Sequence, residues 1–173
     1  MENKVLGEIG QYLGMKKLKI TMEDKKVMTD VGGKKSIGFV SGVLNLVRSQ
    51  PHHLALEGST VLQKSLTHHW LTYCTTHLFH CPTHEALTTC LQYLEQELKN
   101  RAYLCGYQLT IADVAVYLAL HPFIFTWSYM KKEQYQNISR WCKTVQGDER
   151  LGKTHKAIHF SRTQLYCGSG RTH

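Results

Sequence analysis

Apolar residues recur at helical spacing through most of this chain, and the recurrence is denser after residue 55 than before it. Near the start, Val5, Ile9 and Leu13 fall at i, i+4 and i+8, which predicts a helix over 5–13. Leu18-Lys19-Ile20 and Lys26-Val27-Met28 alternate as strands do, and Gly32-Gly33 reads as a turn. Ser36 is the candidate cap of a helix over 37–48, whose inward positions are Val40, Val43, Leu44 and Val47. Gln50-Pro51 closes this first unit, because the residue before proline is steered out of the helical region.

From 55 onward the pattern is almost wholly helical. Ser59 or Thr60 starts a helix with Leu62, Leu66, Trp70 and Tyr73 on one stripe, and Cys81-Pro82-Thr83 breaks it. Thr83 then caps a helix with Leu87, Cys90, Leu91, Leu94 and Leu98 inward. On its outer face, Glu95 with Lys99 and Glu97 with Arg101 are spaced for i,i+4 ion pairs. After a loop over 101–109, another helix runs from Ile111 to about His121, where Pro122 stops or kinks it. Asn137 caps a last helix carrying Ile138, Trp141, Cys142 and Val145, and Gly147 ends it. Leu165-Tyr166 in the basic tail is expected to pack back onto the body.

The start of the 111–121 helix is the most strongly specified point in the chain. Thr110 reads as N-cap and Asp113, three residues on, as its reciprocal partner in a capping box. Leu109 and Val114 flank them in the positions of a hydrophobic staple. Such a cap is worth about 1 kcal/mol.

Composition changes this picture little. The 173 residues suit one domain, or one domain plus a small one, and their apolar content is that of a globular chain. No apolar run is long enough to span a membrane. Met1-Glu2-Asn3-Lys4 lacks the apolar core of a signal peptide, so a cytosolic or nuclear location is expected. The six widely spaced cysteines then read as reduced thiols. Charge is the unusual feature. The net is +8, with lysines gathered at Lys16-Lys17-Lys19, Lys25-Lys26 and Lys34-Lys35, and with a tail after Glu149 that has no acidic residue. That field favours tRNA or an acidic protein surface, although any one lysine cluster also serves as an ordinary soluble face.

Candidate chemistry is thin. His77, His80, Cys81 and His84 are spaced as metal ligands are, but Pro82 breaks the helical face they would need to share, so a metal is not expected. No G-x-S-x-G elbow occurs, and Gly32-Gly33-Lys34-Lys35-Ser36 lacks the upstream glycine of a phosphate loop. Arg140 stands out by position. It is a cation in the first turn of a helix, beside inward-facing Trp141, with a planar fork suited to a partner's carboxylate.

Tyr103-Leu104-Cys105-Gly106-Tyr107, Leu109-Thr110-Ile111-Ala112-Asp113, Tyr117, Leu120-His121 and Asn137-Ile138-Ser139-Arg140-Trp141 together resemble one branch of the glutathione-transferase-like proteins. That branch comprises the small scaffold subunits of the multi-tRNA-synthetase complex. Leu56-Glu57-Gly58-Ser59-Thr60, His69-Trp70-Leu71-Thr72-Tyr73 and His159-Phe160-Ser161-Arg162 are similar too. The likeness is good over 55–145 and weak over 1–50.

The resemblance implies a mainly α fold of glutathione-transferase type. A reduced thioredoxin-like α/β unit over 1–50 would precede an all-helical domain with a basic tail over 55–173. It implies no catalysis and no cofactor. The expected role is to hold methionyl-tRNA synthetase through paired transferase-like domains and to bridge to glutamyl-prolyl-tRNA synthetase and other scaffold subunits, with a further link to nuclear DNA-damage signalling. Arg140 matches the arginine through which the family touches a partner. Lys143 and Ser36 are grouped with it as partner-binding, while Thr110, Asp113, Leu109 and Val114 are structural.

Departures from the transferases point the same way. Ser36 follows Lys35, so the acidic half of the glutathione-holding pair is missing, and Pro51 is the first proline in the chain. Three functions remain open on this reading: a non-catalytic adaptor, a diverged glutathione transferase, and a helper that binds tRNA weakly through its basic segments.

Overall fold

The N-terminal helix already belongs to the main core. In a computed structural model that describes residues 1–15, 18–23, 26–81 and 84–160, α1 (Glu2–Tyr12) buries Val5, Leu6, Ile9 and Tyr12. Three antiparallel strands follow in the order β1 (Lys19–Glu23), β2 (Lys26–Val31), β3 (Lys34–Ile37). Gly32 and Gly33 close the β2–β3 hairpin at φ 58° and 86°. Both central residues of a type I′ turn need positive φ, which glycine supplies without strain. Val27, Thr29 and Val31 turn inward from β2 toward the core.

The strand β3 is where the sequence reading needs correction. Ser36 does not cap a helix; it lies on β3 opposite Thr29. The helix α2 (Phe39–Arg48) starts three residues later, after Gly38 at φ 89°, whose N–H donates to Val27 O at 2.7 Å. Lys34-Lys35-Ser36-Ile37 carries no alternation that marks a strand, so only pairing with β2 reveals it. Pro51 likewise opens a 3-10 turn over Pro51–Glu57. There the guanidinium of Arg48 grips the buried carboxylate of Glu57 through two donors, Nε to Oε2 at 3.1 Å and Nη2 to Oε1.

The helical part follows. α3 (Val61–Tyr73) begins at Thr60, and Gln63 closes a capping box. Its inward face is Thr67, Trp70, Leu71 and Tyr73; Leu62, expected inside, is 69% exposed. A single π turn, Cys74–Leu78, extends it. α4 (His84–Glu97) buries Leu87, Cys90, Leu91 and Leu94, with Leu98 just beyond it, as its periodicity predicts. The Thr83 cap lies outside the described residues.

α5 (Ile111–Phe125) is the axis of the fold, with every residue from Ile111 to Leu120 buried. Pro122 does not end it. The helix continues to Phe125, because burying Ile124 and Trp127 outweighs one lost backbone bond. α6 (Tyr129–Gln134) is capped by Ser128, α7 spans Gln136–Val145, and Asp148 caps α8 (Glu149–Thr154). The chain then returns, Gln146 exchanging two 3.0 Å hydrogen bonds with the backbone of Ile158. Buried side chains run without a break from Val5 to Ile158. Leu165-Tyr166 lies outside the described residues.

Candidate partner-binding surface

A buried carboxylate holds the frame on which the exposed residues sit. Asp113 accepts four hydrogen bonds: Leu104 N–H at 2.8 Å and Trp141 Nε1 at 2.9 Å on Oδ1, Thr110 N–H at 3.0 Å and the Thr110 hydroxyl at 2.8 Å on Oδ2. Thr110 is the N-cap and Asp113 completes its capping box, as the sequence predicts. Leu109 is half-buried and Val114 fully buried, in the staple positions. Burial pushes the Asp113 carboxyl above the usual range, and the four donors pull it back. The sequence motif accounts for the local half of this network. Leu104 and Trp141, from nine and 28 residues away, make it a junction between the 101–109 loop, α5 and α7.

The start of α7 is capped from outside. Asn137 was expected to cap it; instead the helix begins at Gln136, and Glu95 of α4 supplies the acceptors. Glu95 Oε1 takes the Asn137 N–H at 2.9 Å and its side-chain amide at 2.8 Å, while Oε2 takes the Ile138 N–H at 2.9 Å. A carboxylate at a helix N-terminus is favourable for both hydrogen bonding and dipole. Glu95 therefore faces α7, and the expected Glu95–Lys99 pair is replaced; Glu97–Arg101 forms at 3.2 Å.

Arg140 returns the favour. Its Nη2 donates to Leu98 O, which also takes the Arg101 N–H at 3.4 Å, and, at 3.1 Å, to Arg101 O, both in the turn that follows α4. α4 and α7 are thus stitched by a carboxylate on one N-terminus and a guanidinium on the other helix's C-terminus. The anchored Arg140 stays exposed and lines an open groove of about 410 Å³ with Lys132, Glu133, Gln136, Ser139, Lys143 and Phe160. Lys132 Nζ is fixed by His159 O at 2.9 Å and stands 5.5 Å from the Phe160 ring centre. Lys143 is exposed one turn after Arg140. Ser36 is not part of this cluster, since it sits on β3 in the sheet. Periodicity offered no signal for Lys132 or Phe160, which a separate helix and the returning chain bring to the groove.

A second exposed patch is apolar. Val61 is 87% and Leu62 69% exposed at the start of α3, with Leu54 nearby in sequence at 49%. Gly58, at φ 111°, lets this segment turn where a Cβ would come within 2.8 Å of Gln63 Cβ.

Among the described residues no side chain resembles an activated nucleophile. Burial pushes Cys74, Cys105 and Cys142 up, and the Tyr12 hydroxyl, donating to Asp148 at 3.2 Å, is raised as well. The histidines considered as metal ligands are held apart. His77 Nδ1 meets the Thr76 hydroxyl at 2.6 Å, and His80 Nδ1 meets Thr75 O at 2.6 Å. Among the described residues no three His, Cys, Asp or Glu side chains converge on a metal position; the His84 side chain is outside them. No helix is long and apolar enough to cross a membrane among the same residues.

The architecture defines a class, the chains of glutathione-transferase fold. A glutathione S-transferase from Pichia kudriavzevii matches with TM-score 0.67 at 17% identity over 88% of this chain and 89% of that one. URE2P6 of Phanerochaete chrysosporium matches with TM-score 0.70 at 13% identity over 88% of each. A family model described as nuclear-export cofactor Arc1p matches residues 63–149. Eukaryotic translation elongation factor 1 epsilon-1 of Cricetulus griseus is 31% identical over 83% of this chain and 82% of its own length, and the Homo sapiens protein is 30% identical over the same shares. The chain belongs to the eukaryotic translation elongation factor 1 epsilon-1 family, and it shares the Arc1p-like domain.

Proposed function

We propose that this chain is a non-catalytic adaptor of translation that docks, helix on helix, onto transferase-like domains of methionyl- and glutamyl-prolyl-tRNA synthetases in the cytosol. One observation carries the reading. Arg140 is exposed and yet held in place by carbonyls of the turn after α4, beside Lys143 and Lys132 in one groove. A fixed guanidinium loses little side-chain entropy on meeting a carboxylate, so it is preorganised for an acidic partner surface. The apolar patch at Val61 and Leu62 supplies a second face, which an adaptor with two partners needs. The names of the relatives and the raised thiols and phenol agree with an adaptor more than with a transferase.

Native mass measurement tests it: the full chain is mixed with the N-terminal domain of methionyl-tRNA synthetase and, separately, with the transferase-like domain of glutamyl-prolyl-tRNA synthetase. Complexes at micromolar concentration are expected, and Arg140→Glu should abolish one and spare the other. The absence of either complex with the native chain would end the reading.

A further inference from the structure

Two thiols meet where the chain leaves the π turn. Cys81 Sγ lies 3.7 Å from Cys90 Sγ, across the break between the π turn and α4. Cys81 is half-buried and reachable, whereas Cys90 is 7% exposed. Cys81 is held in this position: its S–H donates to His77 O at 2.9 Å. Cys90 sits where the Tyr73 hydroxyl donates to its backbone O at 3.4 Å, so α3 and α4 are already tied beside the pair. The remaining described cysteines have no such neighbour: Cys74, Cys105 and Cys142 are buried, and the sulfur contacts of Cys105 are with Thr67 and Thr110.

We propose that Cys81 and Cys90 form a reversible disulfide, a modification site that locks the π turn onto α4, with a low-molecular-weight disulfide such as oxidised glutathione as oxidant.

The exchange runs in two steps. Cys81 loses its proton to solvent, and its thiolate attacks one sulfur of oxidised glutathione; a protein–glutathione S–S bond forms and one glutathione thiolate leaves. Cys90, deprotonated in turn, attacks the Cys81 sulfur, the new S–S bond closes, and the second glutathione departs. Two protein thiols are oxidised and one glutathione disulfide is reduced to two glutathiones. The order follows from access: of the described cysteines Cys81 alone is open to a bulky reagent, and among them Cys90 alone is near enough to resolve the adduct. Burial pushes the Cys81 thiol up to about 11, so the thiolate is scarce at neutral pH and exchange is slow there. The rate should rise about tenfold from pH 8 to pH 9, since the thiolate fraction does. The inference is independent of the adaptor reading, as it invokes no partner.

The full chain is incubated with oxidised glutathione at pH 8 and 9, quenched in acid, and cut with a glutamate-specific protease. Cleavage after Glu85 separates the two cysteines. The expected result is a cross-linked pair of peptides spanning Cys81 and Cys90, a Tm about 5–10 °C higher than that of the reduced chain, and reversal by dithiothreitol. In Cys90→Ser the reaction should halt at a glutathione adduct on Cys81, and in Cys81→Ser Cys90 should stay unmodified. A stable glutathione adduct on the native chain without cross-link, reaction at Cys74, Cys105 or Cys142 at an equal rate, or no modification at pH 9 would each overturn the proposal.

Discussion

Replacing Asp113 with Asn preserves shape and removes an acceptor, which makes it the sharpest test of the central network. The native carboxylate serves four donors with two oxygens. An amide has one oxygen. Whichever way it turns, its NH₂ faces a backbone N–H, either that of Leu104 or that of Thr110. Leaving that buried N–H unsatisfied costs about 1–3 kcal/mol. The bonds that survive change from charged to neutral acceptors, a loss of about 0.5–1 kcal/mol each. Against this stands the relief of no longer burying a charge, which has already raised the carboxyl. The net expectation is a loss of about 3 kcal/mol, equivalent to about 6–12 °C in Tm for a chain of this size. Equilibrium urea unfolding followed by tryptophan fluorescence measures it directly, with Trp141 sitting on the affected oxygen. A loss below about 1 kcal/mol would mean that the carboxylate costs nearly as much as it returns, and the description of Asp113 as the organising group would be wrong.

Other outcomes follow from the same contacts. Glu95→Ala removes the external cap of α7 and should cost about 2 kcal/mol in urea unfolding, with Asn137 amide exchange accelerated; an unchanged midpoint would show that water caps the helix as well. Gly58→Ala forces a Cβ against Gln63 at a positive φ, and a loss of about 1–3 kcal/mol is expected by thermal melting; neutrality would mean the loop relaxes freely. Arg48 holds the Glu57 carboxyl below its ordinary value. A depressed carboxyl stabilises the fold above its unfolded pKa and loses that contribution as pH falls through the folded value. Stability should therefore drop below about pH 4.5, and Glu57→Gln should flatten that part of the profile relative to the native chain. Lys143→Ala should leave stability within about 0.5 kcal/mol while weakening whichever synthetase complex Arg140→Glu abolishes; equal binding by native and variant chains in a titration would remove Lys143 from the surface.

What could be read from the chain and what could not divide along a physical line. Helical periodicity located α1, α4 and α5, and the Thr110–Asp113 spacing fixed the start of α5, because those signals arise within a few residues of one another. The Gly32-Gly33 turn and the inward Trp141 were legible for the same reason. The transferase-like class and the family were also within reach, since motif residues kept their order along the chain. Local reasoning failed wherever the partner came from afar. Ser36 looked like a cap because β3 exists only through its pairing with β2. Glu95 looked like half of a surface ion pair because its true partners, Asn137 and Ile138, lie more than forty residues on. Pro122 reads as a stop or a kink, and the stop is excluded because the buried Ile124 and Trp127 that carry the helix past it gain their value from packing. By itself the sequence determined where the long amphipathic helices lie and which superfamily they build, while the short helices α6 and α8 carried no such signal. The tertiary structure decided that Arg140 is anchored, that Lys132 and Phe160 join it, and that Cys81 meets Cys90, because each of those contacts joins separate elements that periodicity cannot bring together.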